Sequence, residues 1–346
     1  MGVDREGVMR RPTGICLYII AVLGLFSLFS GCGSGGGNKS STLSYTGSAS
    51  PATLTPTNSA TLLGEAYTGG NSGIIISGVA AGLTQYGYGA SRRPRTIVLS
   101  GALIEFIRLA AVDDTLARPE TAATVTNIPV STLNGNCGGT ATVSGSYDDV
   151  IGTLSLSAYL KDYCERGTTL NGTVGASGQA VADTQNNINI SSITVTLAML
   201  TATYGGDSFS ADGTMSIAPQ PGHTYIGNDI VLTIDMLFKD NATTKVYKLE
   251  NYAISESTTI GTVSYDDITI TGRYYDPDEG YIDLSTPATI RIVNNGQWPS
   301  NGSLHSTGNN SSATITAQSN TTYRLDVDTD GNGSVDSIEN GLWANI

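Results

Sequence analysis

From residue 125 to 293 the chain is a succession of Thr-, Val-, Ile- and Tyr-rich runs punctuated by Gly and Asn, and many of them alternate apolar with polar residues. Alternation at a period of two marks a half-buried strand, because successive side chains leave a strand on opposite faces. Strand candidates are 139–147, 152–164, 168–176, 188–204, 208–217, 230–240, 245–254, 261–275 and 281–293. In the run 230–240, Leu232, Ile234, Met236 and Phe238 share an apolar face, while Val231, Thr233, Asp235 and Leu237 make the other face mixed. A Gly-Thr or Gly-Ser step before an apolar residue opens several of the runs and recurs at Gly152, Gly172, Gly213, Gly261 and Gly302, with separations of 20, 41, 48 and 41 residues. Those intervals match one or two hairpins. The predicted fold is mainly β: an antiparallel meander or sandwich over 126–295, a small N-terminal helical segment over 61–125, and a C-terminal β module over 296–346.

Composition agrees with that reading. Charged residues are 14% of the chain, and Lys- and Glu-rich helical stretches are almost absent. Alternation together with 17 tyrosines also raises a transmembrane barrel. Several runs are too polar on both faces for a lipid-facing wall, and the last residues are Ala344-Asn345-Ile346 rather than an aromatic strand.

Helical signal is confined to 58–125. Asn58 or Ser59 is a candidate cap for a short helix over 60–67, ended by Gly69-Gly70. The stretch 73–83 is apolar and Gly-broken, so helix and buried strand stay open there. Over 96–116, Ile97, Leu99, Leu103, Ile104, Ile107 and Ala111 recur at roughly helical spacing, which predicts an amphipathic helix needing a partner surface. Arg92, Arg93 and Arg95 precede it and read as a solvated loop.

At the N-terminus, Arg5, Arg10 and Arg11 precede an apolar run over 15–29. It is short of the roughly 20 residues a membrane span needs, and a basic start, a short apolar centre and small closing residues mark a secretory signal. The run closes on Phe29-Ser30-Gly31-Cys32. This resembles the lipobox of bacterial lipoproteins, where two small residues precede an invariant cysteine; Phe29 stands where that family usually has Leu. The resemblance implies cleavage before Cys32 (domain 1–31 being the signal), acylation of Cys32, and attachment to a membrane by several acyl chains. Gly33, where lipoproteins retained at the inner membrane commonly carry Asp, implies an outer-membrane destination. An ordinary cleaved signal with a chance cysteine is the competing reading. Residues 33–60, rich in Gly, Ser, Thr and Pro, read as a flexible tether spanning roughly 30 Å.

Without residues 1–31 the chain carries 14 basic and 28 acidic side chains, a net charge near −14. That balance argues against nucleic acid or anionic lipid as a partner, since both need a basic footprint. It suits solubility and cations. Cys137 and Cys164 are then the remaining cysteines beside Cys32, and an even pair in an oxidising compartment predicts one disulfide.

The sharpest chemical motif is Asp328-Thr-Asp330-Gly-Asn332-Gly-Ser334-Val-Asp336-Ser-Ile-Glu339. Calcium is a hard cation that takes six to eight oxygens, and alternate residues of a tight loop turn their oxygens inward while Gly permits the sharp turn. Asp328, Asp330 and Asn332 occupy positions one, three and five; Gly333 occupies six. Ser334 offers its carbonyl at seven, Asp336 is ninth and Glu339 is twelfth. These twelve residues resemble the EF-hand loop. With the alternating 322–327 ahead of it, the setting is closer to dockerin-like and other extracellular calcium modules than to a paired EF-hand domain. The resemblance implies calcium as the bound ion, at an affinity of about 0.1–1 mM. An acidic turn without metal is the competing reading.

Other constellations are weaker. Asp276-Pro277-Asp278-Glu279-Gly280 offers paired carboxylates, but Pro and Gly in such a pentapeptide favour a hairpin turn. His223 and His305 stand alone in the sequence, and Tyr274, Tyr275, Tyr281 and Trp298 suit either a sugar-binding face or cross-strand packing. The expected protein is a lipid-anchored envelope protein, non-enzymatic, binding calcium structurally and acting as a binding or scaffolding module. Its expected partners are the membrane through Cys32 and an extracellular polysaccharide or another envelope protein. The rival expectation is a hydrolase of an extracellular polymer with calcium as a structural ion.

Overall fold

Among the described residues, fourteen strands follow one another in a single antiparallel sheet whose spatial order is the sequence order. The computed structural model describes residues 43–68, 125–148, 150–165, 167–182, 188–227, 229–294, 296 and 298–346. The lipobox-like residues 29–32, residues 33–42 of the expected tether, the apolar stretch 73–83 and the amphipathic stretch 96–116 lie outside the described residues. The strands are β1 (Val125–Asn134), β2 (Gly138–Asp148), β3 (Thr153–Glu165), β4 (Thr168–Ala182), β5 (Ile188–Tyr204), β6 (Asp207–Pro219) and β7 (Asp229–Asp240). They continue as β8 (Val246–Thr259), β9 (Tyr265–Asp276), β10 (Gly280–Val293), β11 (Asn301–Gly308), β12 (Ser311–Ala317), β13 (Thr322–Asp328) and β14 (Ser337–Leu342). The antiparallel ladder runs from β10 straight into β11, so the sheet is continuous across residue 296.

Alternation explains the layering. In β7 the expected apolar face, Leu232, Ile234, Met236 and Phe238, is buried together with Ile230. In β3, Leu154, Leu156, Ala158 and Leu160 are buried, while Ser155, Ser157 and Tyr159 are exposed. All the inward residues join one apolar core with those of the later strands.

A line of irregularities crosses the sheet. The register slips between Leu160 and Tyr163 in β3, Leu197 and Leu200 in β5, and Glu250 and Ala253 in β8. Asp162, Met199 and Asn251 take positive φ at those slips, and Gly172, Gly213 and Gly272 take positive φ on the neighbouring strands. Each extra residue moves a strand's inside-outside pattern by one place and increases its bend. In β3 the buried series accordingly resumes at Tyr163 and Glu165. At Gly213 a Cβ would run into the Asp235 carbonyl, so the close approach of β7 requires glycine there; this Gly-Thr step falls inside β6 and does not open it. In β10 the line passes Pro287, which supplies no ladder N–H. Beside it the Thr286 hydroxyl takes the Ile270 N–H at 2.7 Å and donates to the Ile270 carbonyl at 2.9 Å, bridging the gap in the ladder.

Among the described residues one α-helix, α1 (Ser59–Thr68), lies over this sheet. Its Leu62, Leu63 and Ala66 are buried, and the Tyr252 hydroxyl donates to the Ala66 carbonyl at 2.8 Å. The preceding chain corrects the tether expectation from residue 43 onward. Ala52 and Leu54 are fully buried, Ala52 N–H donates to the Tyr281 carbonyl, Tyr281 N–H to the Ser50 carbonyl, and Asn309 N–H to the Ala52 carbonyl. Small Ser, Ala and Pro residues let the strap lie close to the sheet, so the composition that suggests flexibility here serves close packing. At the other end of the sheet, Cys137 and Cys164 are joined by a disulfide that ties the β1–β2 turn to β3.

Candidate metal centre

The loop between β13 and β14 is built on Asp328. One carboxylate oxygen, Oδ1, accepts the N–H of Gly331 at 2.8 Å and of Asp330 at 3.3 Å; Oδ2 accepts the N–H of Gly333 at 2.8 Å. The next carboxylate repeats the pattern, with Asp330 Oδ1 accepting the Asn332 N–H at 3.1 Å, and Asn332 Oδ1 then accepts the Ser334 N–H at 2.7 Å. Gly333 sits at φ 84°, the turn expected of the sixth position. Asp336 closes the loop by accepting the Thr329 N–H and hydroxyl at 2.8 and 2.7 Å.

This winding brings three carboxylates together. One oxygen from each of Asp328, Asp330 and Asp336 lies within 4.8 Å of the others. Asp328 is buried, and Asp330 and Asp336 are exposed. Burial opposes ionisation of Asp328, but the backbone donors from Gly333, Gly331 and Asp330 outweigh it and hold the carboxyl below its usual range. The three carboxylates could hold a metal ion between them, and their oxygens are the donors a hard divalent cation takes.

Glu339, the expected twelfth ligand, is not brought to this cluster. It lies within β14, directly opposite Leu325. Cross-strand partners share a face, so Glu339 lies on the side of buried Leu325 and Tyr323, where its charge helps raise the Tyr323 hydroxyl's pKa behind the effect of burial. In β13, Asp328 belongs with Asp326 and Arg324 on the other side. A helix after the loop would return the twelfth residue to the ion; a strand carries it away along the ribbon. Asn332 remains at the tip, its amide donating to Asp330 Oδ2 at 2.9 Å, and Ser334 is exposed beside it.

The other candidates fall into structural places. Asp276–Gly280 is the β9–β10 turn, with Asp276 Oδ1 accepting the N–H of Asp278 and Glu279. His305 Nδ1 lies 2.8 Å from Thr314 Oγ1 on the neighbouring strand, and burial pushes its pKa down. His223 is exposed, 3.5 Å from Asp229. Tyr274 stacks on Tyr247, and Trp298 stacks on Trp343, so both are packing residues.

One group was not anticipated from sequence. Glu65 of α1 is buried against β9, where its carboxyl accepts the Tyr274 hydroxyl at 3.2 Å and meets Asp276. Burial first, then the Asp276 charge, pushes Glu65 up to about 8. The clue in the sequence is its place three residues after Leu62 on the helix's apolar side, with no basic residue inside the helix. Comparison of the chain with protein-family models, with curated proteins and with solved structures finds no match.

Proposed function

We propose that this chain is a lipid-anchored cell-envelope protein that serves as a binding or scaffolding module and takes calcium as a structural ion in its last hairpin. The observation that carries the calcium reading is the convergence of Asp328, Asp330 and Asp336 at one loop tip. Carboxylates in a loop wound by backbone turns suit calcium better than magnesium, which demands a rigid octahedron and keeps most of its waters. At millimolar calcium and a dissociation constant near 0.1 mM, linkage contributes about 1.4 kcal/mol. That magnitude fits reinforcement of the β13–β14 end, where the loop is otherwise three like charges.

The anchor is inferred from Ser30-Gly31-Cys32 and the apolar run before it. A polar outer face on the strands and an acidic chain suit a body held in an aqueous compartment beside a membrane, with an extracellular polysaccharide or another envelope protein as the partner class. The test is metabolic labelling of cells making the full chain with a fatty-acid analogue. Label on the wild-type chain and none on Cys32→Ser supports the anchor; an unlabelled wild-type chain overturns it.

A further inference from the structure

β14 is the last strand of the sheet, and β13 is its sole partner among the described strands. Which of its backbone groups have no strand partner among the described residues follows from the register. Trp343 N–H donates to the Thr321 carbonyl, and Thr321 is followed by the pairs Tyr323–Gly341, Leu325–Glu339 and Val327–Ser337. On the far side of β13, Gln318 N–H donates to the Thr322 carbonyl, so the even residues of β13 bond to β12 and the odd ones to β14. Antiparallel pairs alternate between bonded and non-bonded. Ser337, Glu339 and Gly341 therefore bond inward, and Ile338, Asn340 and Leu342 direct their N–H and C=O groups to the open edge.

The same three residues carry an apolar signature. Ile338 is 56% exposed and Leu342 is 50% exposed, both on the outer face, with Asn340 between them. An open edge with free donors and apolar side chains is a template for another strand.

We propose that two copies of this chain pair antiparallel through β14, about a two-fold axis at Asn340. In that register Ile338 faces the partner's Leu342, Leu342 faces the partner's Ile338, and Asn340 faces the partner's Asn340. All three are bonded pairs, as the free groups require. On the inner face Glu339 falls opposite the partner's Gly341, which has no side chain because Tyr323 lies over its Cα. No like charges stand directly opposite one another. Sliding the strands two residues toward the loops sets Glu339 against the partner's Glu339. Sliding them the other way runs the strand off its end at Leu342, where a short 3-10 turn, Trp343–Asn345, begins. The strand is thus self-complementary in one register, as a closed two-fold interface demands. Five residues make a small contact against the roughly 1,200–2,000 Å² of stable interfaces, so the dimer is a weak one and trapping is the suitable readout.

The experiment is mild oxidation of the full chain carrying Asn340→Cys, read on a non-reducing gel beside the wild-type chain with its own cysteines. Bonded antiparallel partners have Cα atoms about 5.5 Å apart, within the span of a disulfide. Asn340→Cys forms a linked dimer; Ile338→Cys or Leu342→Cys alone does not, and an equal mixture of those two does. Asn340→Pro removes one outward N–H and no β13 bond, so its fold is kept while sedimentation shows less dimer than wild type. Failure of Asn340→Cys to link, equal linking by Ile338→Cys alone, or undiminished dimer in Asn340→Pro each overturns the proposal. Linking of Asn340→Cys to cysteines placed in β1 in preference to itself means head-to-tail assembly and overturns it as well.

Discussion

Glu339 on β14 stands directly opposite Leu325 on β13, on the other face of the hairpin from Asp328. This relationship separates the structure's account of the loop from the twelve-residue motif. Glu339→Ala is expected to keep the calcium-linked rise in melting temperature, whereas Asp328→Ala removes it. Differential scanning calorimetry of both variants, with calcium and with chelator, checks the contrast. A lost rise in Glu339→Ala would restore the twelfth position as a ligand.

Stability is expected to fall as pH rises from about 5 to 8 through Glu65. Its folded-state pKa is raised to about 8, so the unfolded chain releases this proton earlier, and the fold loses stability until the folded group also ionises. Burial and the neighbouring Asp276 raise that pKa, while the Tyr274 hydrogen bond and the Lys245 charge act the other way. The slope approaches ~1.4 kcal/mol per pH unit at its steepest. Urea midpoints against pH for wild type and Glu65→Gln measure it; the Gln variant is expected to be flatter over that window. Asp328 acts with the opposite sign at the acid end: its lowered pKa supports the loop above the usual carboxylate range and ceases to as pH falls through the folded value.

Breaking the Cys137–Cys164 bridge frees a loop of 27 residues. The chain-entropy relation puts its contribution at about 3.5 kcal/mol. The Cys137→Ser, Cys164→Ser double variant is expected to unfold at lower urea with an unchanged strand signature in circular dichroism.

Thr286→Val keeps the shape of the side chain and removes the hydroxyl that bridges Ile270 N–H and C=O. Leaving that pair unsatisfied beside Pro287 is expected to cost about 1–2 kcal/mol. Hydrogen exchange read at Ile270 is the direct check, with faster exchange expected in the variant.

Much of the sheet was readable because its signal is local. The run expected at 188–204 is β5, Ile188–Tyr204, and that expected at 281–293 is β10 less its first residue, since alternation of Ile, Leu and Val with Ser, Asp and Thr needs no distant information. The bulge line was not readable. Positive φ at Met199 depends on what lies across from it, and nothing in Ala-Met-Leu announces it. The strap over Ala52 and Leu54 was hidden for a related reason: Ser, Thr, Ala and Pro look alike in a free linker and in a segment pressed onto a sheet. At the loop between β13 and β14 the convergence of carboxylates was legible as far as Asp336. Beyond it the helix-or-strand choice decides where position twelve points, and that choice is made by pairing with β13.

The central claim is that the tip formed by Asp328, Asp330 and Asp336 takes calcium and stabilises the fold. Thermal melts of the full chain at 1 mM calcium, at 1 mM magnesium and in chelator test it most directly. A rise of about 2–4 °C in calcium over both other conditions is the expected result, following from about 1.4 kcal/mol of linkage. Superimposable melts in calcium and chelator would contradict the account.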